Sequence, residues 1–215
     1  MISSSSLHEA AGKTGALPST IKPLSPTPQV FGRAFTVQSP PGDNLWIHHA
    51  IYAASPGDVL VVDVSGQTEH GYFGEIMAHA AQVRGIAGLV INGGVRDSQL
   101  LISMNFPVFS EGVCIQGTSK DPEGFGRLGE PIRLGNVLIR TGDLVVGDAD
   151  GVIVIPDDQV ETVIQKAKKR DAEEARIIER LKNGETTIAI YSLANLKTTD
   201  FAQVKNIKAE AVRNE

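Results

Sequence analysis

The chain has 215 residues, 41% hydrophobic and 21% charged, with a formal net charge of -5 and a pI near 5.6. That size and composition suit one globular domain with a continuous core, and the acidic balance argues against general nucleic-acid binding, which needs a basic face. One cysteine, Cys114, rules out an internal disulfide, and no apolar run approaches the ~20 residues of a membrane span.

The five histidines (His8, His48, His49, His70 and His79) form no HExxH and no Cys/His cluster, so zinc has little support. The start, "MISSSSLHEAAGK", lacks a basic segment followed by an apolar run, so a cytoplasmic protein is expected.

In chain order, "SLHEAAGKT" (5–13) predicts a short helix with a serine cap and Gly12 near its end. "ALPSTIKPLSPTPQ" carries four prolines and predicts extended loop. "VFGRAFTVQ" (30–38) predicts a strand. A turn and a helix follow in "SPPGDNLWIHHAIYAA", capped by Asp43 or Asn44, and "SPGDVLVVDVSG" (55–66) leads into a buried strand.

Helix 75–84 and strand 87–92 come next, then a helix in "DSQLLISMNF" and a short strand in "PVFSEG". Residues 113–140 are Gly-rich and read as irregular or short β. Residues 141–156 read as two strands joined by a turn at Asp148–Gly151, and a long amphipathic helix runs from Asp157 to about Lys182. The chain thus divides into residues 1–29 (helix and Pro-rich loop), 30–156 (core) and 157–215 (helix and tail). Strands alternating with helices predict a single layered α/β domain.

The stretch "GYFGEIMAHAAQVRGIAGLVINGGVRD" (71–97) invites two readings. In one, Asp97 is a helix N-cap, Arg96 a surface ion-pair partner and Glu75 a first-turn acid complementing the helix dipole. In the other, Gly74 opens a helix whose first N–H groups, on Glu75, Ile76 and Met77, have no partner within the helix and suit a carboxylate. A βαβ crossover would bring Arg96 and Asp97 to the same sheet edge, where ligands of open α/β sheets bind. Backbone donors, a guanidinium and a carboxylate there would cradle a 2-oxo acid chelated to a divalent metal.

At this spacing, Glu75-X20-Arg96-Asp97, the chain resembles the class II pyruvate aldolases related to the RraA regulators. These are the 4-hydroxy-4-methyl-2-oxoglutarate (HMG) and 4-carboxy-4-hydroxy-2-oxoadipate (CHA) aldolases. "LHEAAGKTG", "PPGDN", "GYFGE", "RGIAGLVINGGVRD", "FPVFSEG", "QGTSK" and "GDLVVGDADGVIVIP" fall in the family's order across nearly the whole chain.

The resemblance implies a swivelling β/β/α fold with a long C-terminal helix, assembled as a homotrimer or a dimer of trimers with sites between subunits. It implies Mg²⁺ or Mn²⁺ bound directly by Asp97, with Glu75 and Glu9 on metal waters, Glu9 across a subunit boundary. Glu174 or its neighbour Glu173 would complete that shell. Arg96 and the N–H groups of residues 75–77 would hold the pyruvyl end of a small anionic 2-oxo acid, and Lys120 its distal carboxylate.

The implied reaction is retro-aldol cleavage to pyruvate, with oxaloacetate decarboxylation through the same enolate. The alternatives are a dedicated oxaloacetate decarboxylase and a non-catalytic, RraA-like protein-binding regulator of a ribonuclease; the regulators lack the Asp after the Arg. No nucleic-acid or membrane partner is implied. The His48-His49 pair has no role beyond core or interface packing.

Overall fold

The computed structural model describes residues 2–26 and 29–194, in two compact units, Met1–Asp171 and Ala172–Glu215. The first unit begins with α1 (Ser4–Ala10), β1 (Lys22–Pro23), β2 (Val30–Gln38), α2 (Leu45–Ala53), β3 (Asp58–Asp63), β4 (Gly71–Phe73) and α3 (Glu75–Val83). It continues through β5 (Gly88–Ile91), β6 (Gly94–Val95), α4 (Ser98–Ser103), β7 (Val108–Ser110), β8 (Gly112–Val113) and β9 (Arg127–Leu128). β10 (Ile132–Leu134), β11 (Val137–Ile139), β12 (Leu144–Asp148) and β13 (Gly151–Ile155) complete the strands, and α5 (Val160–Lys182) runs into the second unit.

The main sheet has the order β1-β7-β5-β3-β2-β12-β13, with β9 attached to β2. Its centre, β2, β3, β5 and β7, is parallel, and β1, β12 and β13 are antiparallel additions. The centre reads as unbroken apolar sequence because both faces are covered. Leu60, Val62, Leu89 and Ile91 point to a layer built by α2, α3 and α4, where they meet Ile47, Ile51, Ala78, Ala81 and Leu101. Their neighbours Val59, Val61 and Val90 point the other way, onto Ile132, Leu134 and Ile139 of the β10-β11 hairpin. A third cluster packs α1 and the start of α5 on β12 and β13 through Leu7, Val146, Ile153, Val163 and Ala167.

Two expectations need correction. The Pro-rich segment is not loop throughout: Lys22 and Pro23 form β1 against Ser110 and Phe109, at a sheet edge where proline is tolerated. Thr27 and Pro28 of that segment, and the tail from residue 195, lie outside the described residues. Helix α1 ends at Ala10, because Gly12 and Lys13 both turn left-handed, with φ of 74° and 63°.

The site depends on a feature the sequence reading lacked. Each of β3, β5 and β7 is followed by a short strand, and these three (β4, β6 and β8) form a separate parallel sheet in the order β4-β6-β8. In the second unit, α6 (Thr187–Ile190) is capped by Thr186, whose hydroxyl accepts the Ala189 N–H at 3.2 Å. Among the described residues no helix is long and apolar enough to cross a membrane.

Candidate active site

The small sheet explains why residues 74–77 and 96–97 meet. In it β4 runs parallel to β6, with Gly71 opposite Gly94 and Phe73 opposite Val95. Parallel strands end on the same side, so Gly74 and the start of α3, at the end of β4, lie beside Arg96 and Asp97, at the end of β6. The Arg96 N–H donates to Phe73 O at 2.9 Å and locks that register.

Glycine is required twice at this junction. A Cβ on Gly71 would crowd Cys114 O and stand 2.9 Å from Arg96 Cβ. A Cβ on Gly74 would collide with Asp97 Oδ2 and stand 3.1 Å from Arg96 Cγ. Gly74 has an extended backbone (φ -145°), so its missing side chain leaves room for the carboxylate and serves no turn.

Asp97 does not behave as the simple helix cap that one reading predicted. It stands at the N-cap position of α4, but its side chain makes no capping bond there. Its backbone is left-handed (φ 55°, ψ 37°), a region that disfavours side chains but that Asp tolerates better than most. That conformation turns the carboxylate toward α3, where Oδ2 accepts the Glu75 N–H at 3.1 Å. Arg96 Nε lies 3.7 Å from the same oxygen, with both side chains partly exposed.

The N–H groups of Ile76 and Met77 then remain at the open end of α3. The carbonyls that might have served them are engaged elsewhere: Phe73 O by the Arg96 N–H, and Tyr72 O by Asn44 Nδ2 at 2.8 Å. Of the three N–H groups expected to hold an anion, Glu75's is therefore already on Asp97.

These groups wall a cavity of about 230 Å³, lined by Gly74, Glu75, Ile76, Met77, Arg96 and Asp97, with Lys120 opposite. The cavity also takes in Asn44 and His48, which the sequence reading did not assign to a site. They stand four apart at the start of α2 and share a face of that helix, a spacing that could have flagged them. Asn44 is buried, and its Oδ1 lacks a hydrogen-bond partner among the described residues. Burial lowers the His48 pKa, with the Lys120 and His49 charges adding to it and Asp43 opposing, so the ring is neutral at pH 7. His49 points instead to an outer groove with Trp46 and Tyr52.

The remaining expected residues are Glu9, Glu174 and Glu75. Glu9, on α1, lines a separate depression with Asp158, Thr162 and Lys166, and its carboxylate is 4.0 Å from Lys13 Nζ. Glu174 is half-buried on α5 within the second unit. Glu75 faces the cavity, 3.9 Å from His79 Nε2.

The described residues contain no cluster of three or more His, Cys, Asp or Glu suited to a metal cage. Asp97 with Glu75 beside it instead matches the modest requirement of a hydrated Mg²⁺ or Mn²⁺. Such ions take one or two carboxylates and complete their shell with water and substrate oxygens.

Comparison with known proteins places the fold in a family. The RraA-like (aldolase/RraA) family model matches residues 4–154. A protein of Halalkalibacterium halodurans named "Putative 4-hydroxy-4-methyl-2-oxoglutarate aldolase" is 48% identical over 158 residues, 74% of each chain. A crystal structure of an uncharacterized Pseudomonas syringae protein superposes with a TM-score of 0.78 at 33% identity, covering 86% of both chains. The RNA-processing inhibitor RraA of Thermus gives a TM-score of 0.66 at 25% identity, over 73% of this chain and 94% of that one. With the family's fold and its match across the core both in place, the chain belongs to the aldolase/RraA family.

Proposed function

We propose that the chain is a divalent-metal-dependent lyase that cleaves a 4-hydroxy-2-oxo acid, HMG or CHA, to pyruvate. The observation that carries this reading is Asp97: a left-handed aspartate, steered off its own helix into a cavity that Gly74 keeps clear for it. Such strain at a pocket wall is the usual mark of a residue placed for chemistry. The resemblance to a named aldolase at 48% identity supports the reaction class.

Asp97 would hold Mg²⁺ or Mn²⁺ directly, with Glu75 on its waters. When bound, that ion would supply Lewis-acid stabilisation of negative charge on the 2-oxo group. The Ile76 and Met77 N–H groups and Arg96 bind the adjoining carboxylate, and Lys120 meets the distal one. As the C3–C4 bond breaks, its electron pair moves onto the pyruvyl fragment, and Arg96 stabilises the resulting enolate electrostatically. Through a bridging water, the Glu75 carboxylate would take the C4-hydroxyl proton, leaving a carbonyl at C4. Protonation at C3 then completes pyruvate. With HMG both products are pyruvate.

Loss of CO₂ from oxaloacetate leaves the same enolate, so decarboxylation is expected as a side reaction. Glu9 and Glu174 would serve from a neighbouring copy of the chain, in a trimer or a dimer of trimers. The test is pyruvate release from HMG, coupled to lactate dehydrogenase, with Mg²⁺ and after EDTA, beside oxaloacetate corrected for spontaneous decay. Metal-dependent HMG turnover is the expected result. Turnover of oxaloacetate alone would make the chain a decarboxylase, and turnover of neither would favour an RraA-like regulatory role.

A further inference from the structure

Lys120 reaches the cavity from residues 114–126, which form no strand or helix of their own. Further out, Gln116 O takes the Gly71 N–H at 2.8 Å and Gly124 O takes the Trp46 Nε1–H at 2.9 Å, but next to Lys120 itself the segment is held by one buried carboxylate. Asp43 is 2% exposed, and its Oδ2 accepts the Ser119 hydroxyl at 2.8 Å and the Asp121 N–H at 2.6 Å, the residues on either side of Lys120. Its Oδ1 accepts the N–H of Leu45, the first residue of α2, at 2.8 Å. Two backbone bonds complete the clasp: Asn44 N–H to Ser119 O at 3.2 Å, and Ser119 N–H to Gly42 O at 2.8 Å.

The bond to Leu45 uses one carboxylate oxygen; the other is committed to the loop. Burial by itself would raise the Asp43 pKa. The Asp121 and Leu45 amides, the Ser119 hydroxyl and the Lys120 charge outweigh that and hold it below its ordinary value, so the anchor is ionised at neutral pH. The same residue thus joins the helix carrying His48 to the loop carrying Lys120.

We propose that Asp43 is a positioning residue for substrate selectivity: it holds Lys120 across from His48, so that the two face the part of the substrate beyond C4. The inference rests on the retro-aldol reading. Asp43 itself touches no substrate. Its loss would loosen recognition of the distal carboxylate and leave the Arg96-Asp97 end in place.

The variants are Asp43→Asn, which keeps an oxygen for Leu45 and turns an amide toward Ser119 and Asp121, and Ser119→Ala, which removes one of the loop's bonds. Three readouts are compared in the full chain: amide hydrogen exchange, KM and kcat for HMG with Mg²⁺, and C3-proton exchange of pyruvate in D₂O. Pyruvate forms the same enolate but has no distal carboxylate.

In Asp43→Asn, amides of residues 117–121 are expected to exchange at least tenfold faster, with those of α3 unmoved. KM for HMG is expected to rise at least tenfold with kcat falling less than threefold, and pyruvate exchange to fall less than HMG cleavage. Ser119→Ala should show the same pattern more weakly, and it decides the matter if Asp43→Asn does not fold. Unchanged loop exchange, or equal losses with HMG and pyruvate, would overturn the proposal. A wild type inactive on both substrates would remove the retro-aldol reading and the substrate role with it. Loop exchange would then still decide whether Asp43 is the anchor.

Discussion

Gly74→Ala tests the placement of Asp97, and of the Arg96 side chain beside it, without altering the chemistry of either residue. The position is extended, so alanine meets no backbone penalty, and its first-turn neighbours in α3 are unchanged. What changes is one methyl group, which would overlap Asp97 Oδ2 and press on Arg96 Cγ and Nε, 3.1 and 3.2 Å away. The carboxylate must retreat by about 1 Å, and a misplacement of that size at a reacting centre costs about 10²-fold in rate. The 3.1 Å bond from the Glu75 N–H is lost in the same movement; a partly exposed hydrogen bond to a charged group contributes only about 1–2 kcal/mol, so the fold survives. The assay is kcat/KM for pyruvate release from HMG at saturating Mg²⁺, with thermal unfolding alongside. A variant that melts within a few degrees of wild type and has lost about two decades of activity is the expected result. Activity within threefold of wild type would refute the claim that Asp97 must stand where the glycine lets it.

Asp97→Asn keeps the side-chain shape and the tolerance for left-handed backbone while removing the charge; HMG turnover should fall at least ~100-fold with little change in melting, whereas metal-dependent turnover near the wild-type rate would sink the assignment. Arg96→Ala should likewise nearly abolish turnover with the fold retained. Ser4 holds Asp148 through both its N–H (2.7 Å) and its hydroxyl (2.6 Å), against the upward push of burial, so the Asp148 pKa is lowered. A depressed carboxylate contributes stability above its unfolded pKa and loses it as pH falls through the folded one. Stability should therefore decline below about pH 4, and Ser4→Ala, destabilising by about 1–2 kcal/mol at neutral pH, should show a shallower decline on acid titration. By NMR, the His48 ring should titrate below an ordinary histidine, and Lys120→Ala should bring it part of the way back; an unchanged His48 titration in that variant would contradict their proximity.

Much of the fold was legible because the signals were local. The unbroken apolar run of β3 marked a strand covered on both faces, and the Gly-Asp turns marked the entries to β3 and β12. The Arg96-Asp97 site was legible as a spacing, since a βαβ crossover carries both ends to one edge. The β4-β6-β8 sheet was not, because strands of two or three residues leave no periodicity to read. His48 was missed for a related reason. The clasp between Asp43 and residues 119–121, some 77 positions apart, and the Trp46 bond to Gly124 O bring the face of α2 against Lys120, and nothing within either segment announces them. Glycine chemistry was half visible: Gly74 was read as opening a helix, but the carboxylate filling the space beside it comes from a different loop.

The central claim is that this cavity forms the enolate of pyruvate with the help of a divalent ion, and it can be tested without choosing the aldol substrate. Pyruvate is incubated with the protein in D₂O, and loss of the methyl proton signal is followed by NMR with Mg²⁺, after EDTA, and in Asp97→Asn. Exchange well above the protein-free rate that requires the metal and disappears in the variant is the predicted result. No exchange with metal present, or exchange that persists after EDTA and in Asp97→Asn, would contradict it.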